Sequence, residues 1–190
     1  TLSNGKTVKY EYLINTMPLN NFLKLIGEHD QLLNEMSYNK VLVFNLGFDK
    51  PSPLCKKEHW LYIPSKECNY YRAGFYNNIL GDEKLSMYIE IGYSKDFQIT
   101  KNEIEKQLEL TLKNLRKSGI INNDMKLVDH ETIIMDPAYV HIETETTKKI
   151  DKLKNDFSKK GVYTIGRYGA WIYNSMEDSM VKAKELAEKI

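Results

Sequence analysis

The stretch Val162-Tyr163-Thr164-Ile165-Gly166-Arg167-Tyr168-Gly169-Ala170-Trp171-Ile172-Tyr173-Asn174-Ser175-Met176-Glu177-Asp178-Ser179 decides the reading of this chain. Val162–Ile165 is a short β-branched and aromatic run suited to a buried strand. Two glycines follow within four residues, and Ser175 with Asp178 three positions on forms a capping-box-like start for a helix. Strand end, glycine loop and capped helix in succession turn backbone N–H groups toward one place, which suits an anion such as a phosphate or a nucleotide. The same junction also occurs without any ligand, so the loop by itself leaves a purely structural role open.

Composition fits a folded chain. Of 190 residues, 42% are hydrophobic and 11% aromatic, enough for one or at most two packed cores. With 27 Lys and Arg against 26 Asp and Glu the net charge is +1, which removes the general electrostatic case for nucleic acid or an anionic membrane. The pairs Lys148-Lys149 and Lys159-Lys160 read as solvated helix faces. Cys55 and Cys68 sit in no Cys-x-x-Cys motif, and a reduced, cytoplasmic protein is the expectation. No apolar run approaches the roughly 20 residues of a membrane helix, and nothing resembles a signal peptide. His130 and His141, with Asp129, Glu131 and Asp136 nearby, lack helical ligand spacing, so no metal is expected. Ser-His-Asp chemistry has no nucleophile elbow to rest on, and no catalytic residue emerges.

The chain order predicts an α+β fold: an antiparallel sheet of four to six strands with flanking helices. Asn4-Gly5 between strand-like residues signals a tight hairpin. Its second arm runs from Lys6 through Ile14, but only three residues precede the turn, so the first strand is expected to be cut and the chain to be a piece of a longer protein. A helix starting at Asn20 would turn Phe22, Leu23, Leu25 and Ile26 inward. Residues 41–48, 59–63, 69–76 and 85–93 then read as four strands of a meander. In the fourth, Leu85, Met87, Ile89 and Ile91 alternate with Ser86, Tyr88, Glu90 and Gly92, giving one buried face and one solvated or pocket-lining face. Thr100 and Glu103 open a helix through Ile104, Leu108, Leu112 and Leu115 that Gly119 ends. A fifth strand over 125–135, a turn at Asp136-Pro137-Ala138-Tyr139, a helix over about 146–159 stopped at Gly161, and a last helix from Ser175 complete the chain.

The pattern Gly166-Arg167-x-Gly169-x-aromatic-x-Tyr173-x-x-Met176 resembles the last FAD-binding segment of the UDP-galactopyranose mutases and of the protoporphyrinogen-oxidase-like and amine-oxidase-like flavoproteins. In that group the strand–loop–helix returns to the dinucleotide domain and lays its helix N-terminus against the flavin. The resemblance implies that Gly166, Arg167, Gly169, Ser175, Met176 and Glu177 line FAD and that Tyr173 faces the substrate. The mutases usually carry Asp where this chain has Ser175. Asn4-Gly5 through Tyr12-Leu13-Ile14-Asn15-Thr16-Met17-Pro18-Leu19 also resembles the place where such a chain leaves the FAD domain. The G-x-G-x-x-G fingerprint expected upstream is absent from the sequence. The implied organisation is the end of a Rossmann-like FAD domain over 1–19, an inserted substrate-binding domain over 20–157, and a C-terminal FAD-domain strand–loop–helix over 158–190.

Arg72, within Asn69-Tyr70-Tyr71-Arg72-Ala73-Gly74-Phe75-Tyr76, offers a fork of donors between rings that can stack on a sugar or base. It resembles the mutase strand whose arginine reaches the sugar-nucleotide diphosphate, and His59-Trp60-Leu61-Tyr62-Ile63-Pro64 resembles the strand before it. Arg72 would then be the substrate-anion ligand; a surface arginine lying over aromatic core rings is the other reading. By position, Tyr139 would approach the flavin edge. These features imply a fragment of an FAD-dependent oxidoreductase acting on a small molecule, with a nucleotide sugar or related glycan precursor as the favoured substrate. A mutase-type isomerase using reduced FAD and a non-catalytic binding or interaction domain remain alternatives. A homo-oligomer is left open, and the isolated chain is expected to be inactive and to bind FAD weakly or not at all.

Overall fold

The computed structural model describes residues 1–27 and 29–190. In chain order the elements are β1 (Leu13–Asn15), α1 (Leu19–Ile26), α2 (Asp30–Glu35), β2 (Tyr38–Phe48), β3 (Trp60–Tyr62), β4 (Arg72–Phe75), α3 (Tyr76–Leu80), β5 (Ser86–Ser94), α4 (Lys101–Lys117), β6 (Leu127–Val140), α5 (Thr144–Ser158), β7 (Val162–Thr164), α6 (Gly166–Gly169) and α7 (Met176–Lys189). They form two compact units, one of residues Thr1–Tyr38 with Tyr139–Ile190, the other of Asn39–Ala138.

The second unit is a five-stranded sheet in the order β3-β4-β5-β2-β6. The expected alternation in β5 is present: Leu85, Met87, Ile89 and Ile91 are buried, and the intervening side chains face away from the core. The four-strand meander is corrected. β3, β4 and β5 are consecutive antiparallel neighbours, but β2 pairs with β5 instead of leading into β3. The reason is buried area: β2 and β5 are long, and their register sets Leu42 against Ile91, Phe44 against Ile89 and Leu46 against Met87, whereas β3 has three residues and two of them are exposed. Helix α4 contributes Leu115 to this core, with Ile104, Leu108 and Leu112 packed against it. Its start is capped as the sequence indicates, the Thr100 hydroxyl accepting from the Glu103 N–H at 3.2 Å. β6 continues through the anticipated turn at Asp136-Pro137, and a proline is tolerated there because β6 is an edge strand.

The first unit contains the parallel pair β1–β7, with Leu13 opposite Val162 and Asn15 opposite Thr164. The N-terminal hairpin is corrected: the Asn4-Gly5 turn closes through Leu2 N–H to the Lys6 carbonyl at 2.8 Å, but neither flank is a strand, and Leu13–Asn15 pairs with β7. Around this pair, Leu19, Phe22 and Leu23 of α1 pack with Leu32, Met36, Ile150, Leu153, Phe157 and Trp171, and the Phe22 and Phe157 rings meet edge to face at 5.9 Å. The apolar stripe of α1 is therefore Leu19, Phe22 and Leu23, at i, i+3 and i+4, while Leu25 points outward and is 76% exposed. Helices α1, α2 and α5 share this core, so they fall in the first compact unit.

Candidate functional site

In the first unit, the segment from β7 to α7 is held in an unusual backbone course. Gly166 has φ 79°, and Trp171, a buried non-glycine residue, has φ 53°. Such a conformation costs a bulky residue energy and is retained where the surroundings impose it. Gly169 is required by close approach: a Cβ there would lie 2.6 Å from the Asn15 carbonyl oxygen, the same oxygen that accepts from the Ile165 N–H at 3.0 Å. The end of β1 thus anchors the loop at two points.

The loop presents two kinds of polar group. Arg167 lies between two rings, its guanidinium carbon 5.3 Å from the centre of Tyr139 and 4.6 Å from that of Tyr173. Among the described residues no carboxylate makes an ion pair with it. The second kind is buried and unsatisfied: Thr164 Oγ1, Trp171 Nε1 and Asn174 Oδ1 have no hydrogen-bond partner. Buried polar atoms normally find one, and these three fall within a single eleven-residue segment.

The start of α7 is not a vacant anion site. Ser175 caps it in a complete capping box: its hydroxyl accepts from the Asp178 N–H at 3.0 Å, and the Asp178 carboxylate accepts from the Ser175 N–H at 2.8 Å. The backbone N–H of Ser175, and then its hydroxyl, hold the Asp178 carboxyl below the usual range. Glu177 adds a second carboxylate to the first turn. A helix start already served by carboxylates suits a neutral or weakly polar ring better than the phosphate that the sequence motif suggests. Met176 and Met180 are 81% and 69% exposed, leaving an apolar surface beside it.

Of the residues expected from sequence, Gly166, Arg167, Gly169, Ser175, Met176 and Glu177 thus lie on one loop-and-helix segment, and Tyr139 and Tyr173 meet around Arg167. Arg72 belongs to the other unit. It lies on β4, directly opposite Tyr62 on one side and Glu90 on the other. Its guanidinium carbon is 5.9 Å from the ring centre of Trp60, 5.5 Å from Tyr62 and 5.5 Å from Tyr88. Nη1 pairs with Glu90 at 3.3 Å, with side-chain exposures of 22% and 13%. The Tyr71 hydroxyl donates to the same Glu90 carboxylate. At the effective dielectric of a partly buried site, unit charges at that distance attract by about 5 kcal/mol, most of it offset by desolvation.

Gly74 makes the cage possible, because a Cβ there would overlap the Tyr88 ring that lies across the strand. Tyr76 stands 5.2 Å from Tyr88 and donates to Asn45 at 3.3 Å. Burial, and after it the nearby Glu90 and Glu131 charges, push the Tyr76 phenol up; burial also raises that of Tyr88, against the opposing pull of Arg72. Both therefore remain protonated donors. Sequence reasoning missed Glu90, Tyr88 and Gly74 as members of this cluster. The β5 alternation places Tyr88 and Glu90 on the outward face, but only the register brings Arg72 opposite Glu90. Among the described residues no group of three or more His, Cys, Asp or Glu converges as metal ligands, and no helix is long and apolar enough to cross a membrane.

No family model matches the chain. Its fold is similar to that of a reduced UDP-galactopyranose mutase, with a TM-score of 0.77 and 24% identity over 91% of this chain and 39% of that one. It is also similar to a putative protoporphyrinogen oxidase from Exiguobacterium sp. 255-15, with a TM-score of 0.65 and 10% identity over 93% and 41% of the two chains. A CLA-producing fatty acid isomerase from P. acnes gives a TM-score of 0.61 and 13% identity over 95% and 41%. These likenesses establish a shared fold. The chain spans about two fifths of the length of each.

Proposed function

We propose that this chain is the substrate-binding part, with the last cofactor-contacting segment, of an FAD-dependent oxidoreductase or mutase acting on a sugar nucleotide or a related glycan precursor. The first unit would carry the flavin-domain pieces and the second the substrate-binding sheet. The observation that carries the reading is the β7–α7 segment, where Arg167 lies between the Tyr139 and Tyr173 rings and Thr164, Trp171 and Asn174 hold unsatisfied buried polar atoms, in a fold shared with the proteins above.

Gly166, Arg167, Gly169, Ser175, Met176 and Glu177 would hold FAD, with Met176 giving an apolar contact and the capped helix start lying against the ring. Bound flavin supplies either hydride acceptance or, when reduced, a nucleophile for an anomeric carbon. Arg72, in the second unit, would bind a substrate anion through its donor fork; Tyr139 and Tyr173, in the first, are separate candidates for substrate contact by stacking and through their hydroxyl groups. A mutase is the second reading, favoured by the likeness to the UDP-galactopyranose mutase.

The test is a visible absorption spectrum of the full-length protein before and after dithionite. Flavin bands that bleach on reduction support the reading, and conversion of a UDP-sugar by the reduced protein would select the mutase. A colourless, well-folded full-length protein would leave the loop as a structural junction and the chain as a non-catalytic binding module. The 190-residue chain alone should retain little or no FAD; tight, stoichiometric retention would overturn its assignment as half of a cofactor site.

A further inference from the structure

We propose that Glu90 is the specificity-determining residue of the Arg72 face: its carboxylate holds the guanidinium as an internal substitute for the substrate's anion, so only a ligand with a diphosphate-like charge can take Arg72 from it. The inference rests on the substrate reading above and deepens it by naming the group that sets charge selectivity.

The geometry has three parts. Glu90 lies opposite Arg72 in the β4–β5 register and pairs with it at 3.3 Å. The carboxylate is itself held by the Tyr71 hydroxyl, so it does not swing aside without cost. Both charged groups are less than a quarter exposed, while Trp60 and Tyr62, which flank the guanidinium, are 51% and 66% exposed. An incoming ring can therefore stack on open aromatic surface while its anionic group competes with Glu90 for Arg72. A singly charged anion exchanges one carboxylate-like partner for another and gains little. A diphosphate brings more charge and more acceptor oxygens to a guanidinium fork of five donors, and this difference separates the two ligand classes.

The experiment uses the full-length protein and reads tryptophan fluorescence during titration with inorganic pyrophosphate, acetate and, in parallel, UDP-galactose. Glu90→Gln keeps the shape and removes the charge. Its pyrophosphate affinity should rise about tenfold and its preference for pyrophosphate over acetate should shrink. Tyr71→Phe, which loosens Glu90 without removing it, should move both quantities the same way by roughly two- to threefold. A Trp60→Phe control should abolish the signal from this face. Unchanged or weakened pyrophosphate binding in Glu90→Gln, or a response that survives Trp60→Phe, overturns the proposal. If Glu90→Gln does not fold, an absent or opposite effect in Tyr71→Phe overturns it. A pyrophosphate response without any UDP-galactose response leaves Glu90 in its role and removes the sugar-nucleotide reading.

Discussion

Arg72 and Arg167 both lie against aromatic rings, yet their electrostatic states are opposite. Arg72 is paired with Glu90 and stands among three rings on a sheet face. Arg167 lies between Tyr139 and Tyr173 with no carboxylate paired to it among the described residues. The scaffolds differ as well. Cross-strand pairing fixes the neighbours of Arg72, so its partner is dictated by register. Arg167 sits on a four-residue helix in a loop braced by glycine contacts, where the surroundings decide what it meets. An arginine on a sheet can be tuned by its opposite residue, and an arginine on a braced loop depends on the brace.

The brace is where the comparison breaks most easily. Gly169→Ala would press a Cβ against the Asn15 carbonyl, which is backbone and cannot step aside; a loss of about 1–3 kcal/mol is expected in urea unfolding. Flavin retention by the full-length protein should fall with it. An unchanged unfolding midpoint would mean that the loop is not anchored on β1. Next in size, Arg167→Met should weaken FAD retention by the full-length protein by about 2 kcal/mol, a loss typical of a charged hydrogen bond. Arg72→Met should cost pyrophosphate binding less, because Glu90 already absorbs much of that arginine's charge. Equal losses measured by calorimetry would erase the distinction between the two sites. Gly74→Ala is smaller again: the added methyl displaces the end of the Tyr88 side chain, which can rotate, so about 1 kcal/mol of cation–π stabilisation is at stake.

What the sequence made legible follows the range of the interactions. Local signals held: the Ser175 and Thr100 caps are where spacing placed them, and the alternation in β5 marks its buried face. Non-local pairing did not follow from order along the chain. β2 joins β5 because the two long apolar faces match, and the Asn4-Gly5 turn has no flanking strand because Leu13–Asn15 finds its partner in β7. The candidate site divides in the same way. Gly166, Arg167 and Ser175 are contiguous and could be read as a motif, whereas Tyr88, Glu90 and Gly74 surround Arg72 only through register. The fifteen-residue helix α5 was legible as a helix, but its membership in the first unit depended on whether Ile150, Leu153 and Phe157 met α1 or α4.

The smallest expected effect concerns the start of α7 and what can lie against it. Asp178 is fully exposed, and its carboxyl is held below the usual value of 3.8 first by the Ser175 N–H and then by the Ser175 hydroxyl. A carboxyl whose folded value is depressed binds a proton less readily folded than unfolded, so its contribution is present above the unfolded value and is lost as pH falls through the folded one. Thermal unfolding followed downward from pH about 5 should therefore show the wild-type chain losing a small increment that Asp178→Asn lacks at every pH. Ser175→Ala, which removes one half of the reciprocal cap, should cost about 1 kcal/mol near neutral pH and flatten the same acid dependence. Parallel acid profiles for wild type and Asp178→Asn would mean that the carboxylate does not serve the helix start. The α7 N-terminus would then be open to a phosphate, and the contrast between a neutral-ring contact there and an anion contact at Arg167 would no longer hold.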